Sequence, residues 1–353
     1  MANAHPLAED LRSGGSGIRL IRLFITDRAG TEKLTASKTL LGALMKRIAC
    51  WTFILTTAGF AQQTAVQRPK ITGIDHVDFY TSNEEANNHL YAEVLGLPSA
   101  LPLETGQLQR FVIGKQWVGY SAAPDAKATN RMDHVAFSTE DCDALRVYLA
   151  AHGVKVRESA GRSKEGRSFR VNDPEGNVIE FVQPSGAIRA KLSGQGEALR
   201  ARPDPVSRRL IHTGFIVRDR AAEDHFYKDI LGFRLYWHGG MKDGQTDWAA
   251  MQVPDGTDWL EYMLNIDANP DLQTTGVMNH ISLGVRDMKE AVAKMEAHGW
   301  KPHDKDDHSE IGKDGKWQFD VFDPDFTRVE LMEFTPTQKP CCSDFQGPHP
   351  SEK

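Results

Sequence analysis

The sequence predicts an α+β protein of two similar modules, in each of which the order strand, helix, three strands occurs twice. Residues 72–184 and residues 208–335 carry these elements in the same order, and a repeat of this length indicates a duplicated structural unit. Short runs that alternate apolar and polar residues predict the strands, and segments with apolar residues at helical spacing predict the helices. Between the copies, residues 185–207 are polar with small residues and prolines, which indicates a linker.

Module one opens with the strand GIDHVDFY, which carries His76. The helix that follows ends in LGL, where Gly96 suits a helix C-cap and an apolar residue comes after it. The second half repeats this order, with His134 in the strand RMDHVAFST and an amphipathic helix that ends at Gly153. An Asp-Pro turn then leads into the strand GNVIEFV, which carries Glu180.

Module two has the same elements in the same order. The strand LIHTGFIV carries His212, and the next helix ends in LGF at Gly232. The strand MNHISLGV carries His280, and its helix ends at Gly299. A second Asp-Pro turn leads into TRVELMEF, which carries Glu330. Each module therefore places two histidines and one glutamate on three predicted strands.

Strand geometry predicts which face of each sheet carries these polar residues. Successive side chains of a strand point to opposite faces, so His134 faces away from Val135 and Phe137. The apolar neighbours are expected to pack under the helices, and the polar residues line a cavity if the sheet curls. A lone histidine in a strand is more often structural, but two histidines and one glutamate repeated at matching places form a facial metal-binding set. The predicted metal ligands are His76, His134 and Glu180 in module one and His212, His280 and Glu330 in module two.

The composition excludes one class of partner. The chain has 353 residues, 40% of them hydrophobic and 25% charged, with a formal net charge of −6. These proportions are typical of soluble globular proteins, and the length allows two domains of ordinary size. A chain with this charge offers no basic patch for nucleic acid. We expect a small-molecule substrate and a monomer or homodimer.

The N-terminal segment predicts export. Residues 1–44 do not look like a domain, and residues 45–61 have a positive start at Lys46 and Arg47, a short apolar stretch and a small-residue cleavage signal. This pattern is typical of a secretory signal peptide and is short for a membrane span. We expect that residues 1–44 are a disordered, over-extended start, and that the mature chain begins near Gln62 in the periplasm or outside the cell. An internal apolar helix is the alternative.

The cysteines give no disulfide framework. Cys50 would leave with the signal peptide, and Cys142 falls on a predicted helix. Cys341 and Cys342 are adjacent within residues 336–353, a Pro-, Ser- and charge-rich segment that predicts a flexible tail. This vicinal pair could bind a metal or form a local bridge, but an exposed tail is favoured.

These residues resemble the vicinal oxygen chelate superfamily, which includes glyoxalase I, bleomycin- and fosfomycin-resistance proteins, methylmalonyl-CoA epimerase and extradiol dioxygenases. The resemblance rests on the motifs HVDFYTSN, HVAFS and DPEGNVIEF in module one and HTGFIVRD, NHISLGVRD and DPDFTRVEL in module two. It implies paired βαβββ units whose curved mixed sheets surround a divalent metal. It also implies metal ligands on the first, fifth and last strands, where this chain has His, His and Glu.

Glyoxalase-like members of the superfamily add an acidic ligand on the fourth strand. By this resemblance Glu261, in DWLEYMLN, is a fourth ligand in module two. Module one departs from the pattern, because Gly119 occupies this place and Gln116 is the only nearby polar residue. The implied cofactor is a divalent metal, which could be Fe, Ni, Zn, Co or Mn.

Several functions remain open from the sequence. With four ligands, Glu330 or Glu261 could serve as the catalytic base of a metal-dependent lyase or isomerase acting on a vicinally oxygenated small molecule. With three ligands and Fe(II), the same frame suits an extradiol ring-cleaving dioxygenase, and the fused two-module architecture is common in that class. However, extradiol dioxygenases usually have a tyrosine upstream of this last Asp-Pro turn, and this chain has Phe322 directly before the turn instead. Export argues against ordinary glyoxalase I, because glutathione is concentrated in the cytosol. A non-catalytic small-molecule-binding protein is the third possibility.

Overall fold

The computed structural model describes residues 67–100, 106–157, 166–185, 204–242, 244–302 and 308–352. The predicted N-terminal extension and signal peptide, and most of the linker, lie outside these ranges. Within them, no helix combines the length and hydrophobicity required to cross a membrane.

Module one forms one seven-stranded sheet with the order β2-β3-β4-β1-β5-β7-β6. Its elements are β1 (Ile71–Thr81), α1 (Glu84–Asn88) continuing into a π-helical turn (His89–Val94), β2 (Ser99–Ala100), β3 (Gln107–Ile113), β4 (Gln116–Ala122), β5 (Met132–Thr139), α2 (Cys142–Ala151), β6 (Gly166–Asn172) and β7 (Val178–Pro184). β1 pairs parallel with β4 and antiparallel with β5. Where an eighth strand was expected, the described residues form a single bridge between Val156 and Val171.

Module two forms an eight-stranded sheet with the order β13-β14-β15-β12-β8-β11-β10-β9. Its elements are β8 (Leu210–Ile216), α3 (Arg220–Asp224) continuing into a π-helical turn (His225–Ile230), β9 (Arg234–Gly239), β10 (Trp248–Gln252), β11 (Trp259–Met263), α4 (Leu272–Met278), β12 (His280–Val285), α5 (Met288–Ala297), β13 (Glu310–Ile311), β14 (Trp317–Phe322) and β15 (Arg328–Glu333). Both sheets are mixed and curved, as expected for tandem modules of this kind.

Each described α-helix begins after an Asn or Asp that caps it. The cap side chain accepts a hydrogen bond from the third backbone N–H of the helix, and replacing such a cap by Ala typically costs about 1 kcal/mol. The capping residues are Asn83, Asp141, Asp219, Asp271 and Asp287. The π-helical turns are followed by Gly96 and Gly232 with φ of 65° and 79°, so the predicted glycine caps take the left-handed conformation.

The two modules share one hydrophobic core. Val135 and Phe137 are buried in it, which confirms that the apolar face of β5 packs inward, away from His134. Phe137 of module one packs edge-to-face on Phe233 of module two, with ring centroids 5.3 Å apart. Because the apolar faces of both sheets meet in this core, the polar faces are left for the two candidate sites.

Two matching hydrogen bonds cross between the modules at the Asp-Pro turns. The hydroxyl of Tyr227, in module two, donates to Asp173 Oδ2 in module one at 3.2 Å. The hydroxyl of Tyr120, in module one, donates to Asp323 Oδ2 in module two at 3.5 Å. Each module therefore holds the turn that precedes the other module's glutamate strand.

The segment after Thr335 corrects a sequence expectation, because it is packed rather than flexible. We call residues 336–352 the C-terminal strap. Its Gln346 N–H donates to Tyr236 O at 2.8 Å, and Trp237 Nε1 donates to Cys341 O at 3.2 Å. The ring of Phe345 lies 4.8 Å from that of Tyr236. This contact could not be predicted from the sequence, because the apolar residue that anchors the strap, Phe345, is isolated among polar ones.

Cys341 and Cys342 are joined by a disulfide within the strap. The Cys341 N–H donates to Lys313 O at 2.8 Å. The bridged turn is thus attached to the loop before β14 as well as to β9. Of the two alternatives left open for this vicinal pair, the local bridge is the one observed.

Candidate metal centres

Each module brings its three predicted ligands together on the polar face of its sheet. In both sets the ligand atoms all lie within 4.8 Å of one another. The Nε2 atoms of the two histidines are 3.0 Å apart in module one and 3.0 Å apart in module two. Two ligands at about 2.1 Å from one ion, at right angles, would be separated by about 3.0 Å. Each histidine pair therefore has the spacing of adjacent ligands of a single metal.

Among the described residues, the glutamate ligand of module two has an oxygen without a hydrogen-bond partner. Glu330 Oε2 lies 3.2 Å from His212 Nε2, yet it is buried without a hydrogen-bond partner among the described residues, as is His212 Nδ1. His280 Nδ1 donates to Met278 O at 2.8 Å, which leaves the lone pair on Nε2. A buried carboxylate oxygen without a partner is destabilising, and a cation at this point would satisfy it. The residues of module two fit a divalent metal.

Burial sets the protonation of these groups. Burial raises the pKa of Glu330 above its usual range, although the Arg328 guanidinium acts in the opposite direction. Burial lowers the pKa of His212 and of His280. The imidazoles are therefore neutral near pH 7, which is the form that binds metals.

A glycine makes room for one ligand of this site. Gly214 lies on β8, and a Cβ atom there would overlap the His280 ring. Glycine inside a strand often marks such a close approach. Sequence reasoning missed this residue, although the HTGF motif beside His212 contains it.

Glu261 borders the same site from β11. Its Oε2 lies 3.5 Å from His280 Nε2 and 3.9 Å from His212 Nε2. The set of mutually close ligand atoms comprises His212, His280 and Glu330 and leaves Glu261 out. Glu261 thus reaches the two imidazoles from the expected strand but stands slightly farther out than Glu330.

The histidines of module one are backed by carboxylates. Asp75 Oδ1 lies 2.9 Å from His76 Nδ1, and Asp133 Oδ2 lies 2.9 Å from His134 Nδ1. Such carboxylate–imidazole pairs orient the opposite ring nitrogen, here toward Glu180. Burial alone would lower the pKa of His134, but its hydrogen bonds to Asp133 and Glu180 raise it to about 10.

The glutamate of module one forms an ion pair with an arginine. Arg170 Nε donates to Glu180 Oε2 at 2.7 Å, and Arg170 Nη2 lies 2.7 Å from the same oxygen. Arg170 Nη2 also lies 3.2 Å from His134 Nε2. Burial would raise the pKa of Glu180, but His134, His76 and Arg170 lower it. Glu180 Oε2 already has a cationic partner, and His134 holds a proton where a metal would need a lone pair, so module one does not fit a metal in this arrangement.

Module one also has a carboxylate near the place of Glu261, supplied by another strand. Gly119 on β4 pairs in register with Asp78 on β1, just as Glu261 pairs with Gly214. Asp78 is buried, and its Oδ1 has no hydrogen-bond partner among the described residues. A side chain at Gly119 would overlap this carboxylate. Asp78 is therefore the acidic residue of module one that corresponds to Glu261, although it lies on a different strand.

A cavity of about 370 Å³ opens onto the module-two set. Its charged lining includes Glu261, Glu330 and Arg328. Five aromatic side chains form much of the remaining wall: Tyr236, Trp237, Trp248, Trp259 and Phe345. Trp259 stacks on the His212 ring with centroids 4.6 Å apart. The volume and the aromatic walls suit a small organic molecule.

Family models match both modules. Residues 211–319 and residues 73–181 each match a model of the glyoxalase/bleomycin resistance protein/dioxygenase superfamily. Together the matches cover more than half of the chain. The chain belongs to this superfamily. The sequence resemblance and the predicted tandem architecture are thereby confirmed.

Solved structures of a dioxygenase share this fold. A variant of homoprotocatechuate 2,3-dioxygenase from Brevibacterium fuscum matches with a TM-score of 0.55 and 18% identity, over 78% of this chain and 73% of that chain. The same enzyme from Arthrobacter globiformis matches with a TM-score of 0.54 and 18% identity, over 76% of this chain and 81% of that chain. At this identity the likeness concerns the fold alone.

A buried lysine lies beside the candidate metal centre of module two, and the sequence of this superfamily member did not predict it. Lys316 is fully buried, and its Nζ lies 4.6 Å from the ring centroid of Trp259, 5.4 Å from Tyr236 and 5.2 Å from Phe345. Such cation–π contacts stabilise an ammonium group. Burial nevertheless lowers the pKa of Lys316 to about 8, while Asp314 and the two site glutamates act to raise it. Sequence reasoning missed it, because a lysine between glycine and tryptophan in a polar loop looks exposed.

Proposed function

We propose that this chain is a divalent-metal-dependent enzyme with its active centre in module two, a glyoxalase-like lyase or isomerase acting on a small molecule with adjacent oxygen atoms. The observation that carries the proposal is the position of Glu261, whose Oε2 lies 3.5 Å from His280 Nε2 at the cavity wall. A second carboxylate beside a two-histidine, one-carboxylate set supplies a base for proton transfer.

The metal would be held by His212, His280 and Glu330, with the remaining coordination positions open to the substrate and to Glu261. Iron, nickel, zinc, cobalt and manganese all accept imidazole and carboxylate donors. When bound, the ion supplies Lewis-acid stabilisation of the negative charge that develops on a substrate oxygen.

Glu261 is the residue best suited to move the proton. It lines the cavity, and 13% of its side chain is exposed, whereas the side chain of Glu330 is 4% exposed. In the proposed reaction Glu261 takes a proton from the carbon beside a substrate carbonyl. In an isomerase this proton returns to the former carbonyl carbon, while the hydroxyl on the deprotonated carbon loses its proton to the former carbonyl oxygen and becomes the new carbonyl. In a lyase the electron pair of the broken C–H bond instead forms a double bond to the β-carbon, which loses a leaving group with its bonding electrons.

The other cavity residues would orient the substrate and exclude water. Trp237, Trp259 and Phe345 present apolar faces to a bound molecule. Arg328 lines the same cavity and lies near Asp320, with Nη1 and Oδ2 3.6 Å apart. Its guanidinium can donate to a substrate oxygen while Asp320 holds it in place.

A ring-cleaving dioxygenase is the second candidate. It is favoured by the fact that Glu261 lies outside the set of mutually close ligands, which leaves the two-histidine, one-carboxylate triad of non-haem iron oxygenases. The aromatic walls of the cavity also suit a planar ring. The similar solved structures are those of homoprotocatechuate 2,3-dioxygenase. In this case the substrate would be a catechol and molecular oxygen the co-substrate.

Solvent exchange separates these candidates. The protein, purified without added metal and analysed for metal, would be incubated without oxygen in D₂O with hydroxyacetone, dihydroxyacetone and the hemithioacetal of methylglyoxal and glutathione. We expect deuterium to enter beside the carbonyl of at least one probe, and Glu261→Gln to abolish this exchange. Bound iron with oxygen uptake on 3,4-dihydroxyphenylacetate, and no exchange, would instead establish the dioxygenase. Tight binding of a probe with neither reaction would indicate a binding protein.

A further inference from the structure

The two modules differ in where they place an arginine around their glutamate. In module one Arg170 on β6 pairs in register with Glu180 on β7. In module two the residue that pairs with Glu330 is Asp320 on β14. The arginine of module two is Arg328, on the glutamate strand itself.

These strand positions determine which carboxylate forms an ion pair with Arg170 and which with Arg328. Arg170 meets Glu180 directly, with two nitrogen atoms 2.7 Å from Oε2. Arg328 has Asp320 as an ion-pair partner at 3.6 Å, and Glu330 Oε2 keeps no hydrogen-bond partner among the described residues.

Both arginines touch the second histidine of their module. Arg170 Nη2 lies 3.2 Å from His134 Nε2, and Arg328 Nη2 lies 3.0 Å from His280 Nε2. A metal in module two would take over the lone pair of His280, and Arg328 would still have Asp320. A metal in module one would have to displace Arg170 from both His134 and Glu180. At the place of Arg328, module one has Val178, which carries no charge.

We propose that Arg170 takes the place of a metal ion in module one. Its guanidinium is the cationic partner of Glu180 and also contacts His134, and it ties β5, β6 and β7 together. The chain then binds one divalent metal, in module two, although both modules carry the same two histidines and glutamate. This inference concerns module one and stands apart from the reaction proposed for module two.

Cobalt(II) titration tests the proposal through binding and absorption spectra rather than activity. The metal-free wild-type protein should bind one Co(II) per chain. His134→Ala should still bind one, and His212→Ala should bind none. Two Co(II) per chain in the wild type, or loss of one on His134→Ala, would overturn the proposal. If the wild type binds none, the metal centre proposed for module two fails, and the claim for module one is decided by the arginine variants.

Removal of the arginine should open the second site. Arg170→Met keeps much of the side-chain length without the charge, and it should bind one more Co(II) than the wild type. Addition of His134→Ala should abolish this gain. Because Glu180 loses its partner, Co(II) should also raise the unfolding midpoint of Arg170→Met more than that of the wild type. Absence of extra binding by the folded variant would contradict the proposal.

Two further variants protect the test against misfolding and nonspecific effects. Arg170→Asp combined with Val178→Arg reproduces the charge arrangement of module two, and it should also bind a second Co(II). Arg167→Met changes an arginine of the same strand whose partner is Asp143, outside the site, and its Co(II) content should equal that of the wild type.

Discussion

At the scale of residues, the two modules place a second carboxylate on different strands. In module two Gly214 admits the His280 ring and Glu261 supplies the carboxylate. In module one Gly119 makes room and Asp78 supplies the carboxylate. In each module, one strand of the pair (β1 with β4, or β8 with β11) supplies the carboxylate, and the other has a glycine opposite it. Module one therefore has glycine at position 119, where module two has Glu261, because its acidic residue, Asp78, lies on the neighbouring strand.

Glu261→Gln should separate catalysis from metal binding. The amide keeps the shape of the side chain but cannot accept the substrate proton, so turnover should fall roughly 10²- to 10⁴-fold. Co(II) content should change little, because His212, His280 and Glu330 remain. Glu296→Gln, at an exposed residue of α5 outside the cavity, is the matched control and should stay near wild-type activity. Full activity of Glu261→Gln would rule out its role as the base.

The candidate ligands were predictable because strand parity decides which face a side chain takes. His134 opposes Val135 and Phe137 in the sequence and in the structure. Arg170 and Lys316 could not be found in this way. Their positions depend on which strands become neighbours and on how the loop before β14 folds, and neither is encoded in local periodicity.

At the scale of elements, the C-terminal strap completes the cavity. Phe345 contributes to the wall and packs 5.2 Å from the buried ammonium of Lys316. Two hydrogen bonds hold it along β9: the Gln346 N–H donates to Tyr236 O, and Trp237 Nε1 donates to Cys341 O. The composition of the strap, rich in Pro, Ser and charge, resembles that of mobile tails. It is held by one aromatic anchor and by backbone contacts, which composition does not reveal.

Phe345→Ala should loosen substrate binding more than it slows the chemical step. We expect a higher KM with a smaller change in kcat, because one cavity wall is lost while the ligands stay. Since Phe345 is only partly buried, the loss of stability should fall below the roughly 3–5 kcal/mol of fully buried Phe→Ala changes. Glu352→Gln, which removes an ion pair of the strap with Arg286, is the control. An unchanged KM in Phe345→Ala would show that the strap does not shape the site.

At the scale of the whole molecule, buried acidic groups lie where the modules meet. Glu223 of α3 is fully buried and accepts a hydrogen bond from the Glu175 N–H at 2.9 Å. Its Oε2 has no hydrogen-bond partner among the described residues. Burial, with Asp173 nearby, raises the pKa of Glu223 to about 8. This carboxyl is therefore protonated in the folded protein at neutral pH.

Glu223→Gln should remove part of the pH dependence of stability. A carboxyl whose folded pKa exceeds its unfolded value of about 4.3 contributes stability below pH 4, and this contribution is lost as the pH rises through about 8. The unfolding midpoint of the variant should therefore match the wild type at pH 4 and exceed it at pH 9. The exposed Glu296→Gln should shift the midpoint equally at both pH values. A wild-type advantage at pH 9 would contradict this account.

Export is a second expectation at this scale. The segment that predicts it, residues 45–61, lies outside the described residues. We propose that the mature protein begins near Gln62 and acts in the periplasm or outside the cell. N-terminal sequencing of protein from the native host should show this start. An intact chain from Met1 recovered in the cytoplasm would refute the proposal and restore glutathione as a possible co-substrate.

The central claim is that module two holds a divalent metal between His212, His280 and Glu330. Anomalous diffraction from crystals of the protein purified without added metal, recorded at the absorption edge of the metal identified by elemental analysis, tests it directly. We predict an anomalous peak about 2.0–2.2 Å from the two Nε2 atoms and the Glu330 carboxylate, and none between His76, His134 and Glu180. Metal-containing protein without a peak in module two, or with a peak in module one alone, would contradict it.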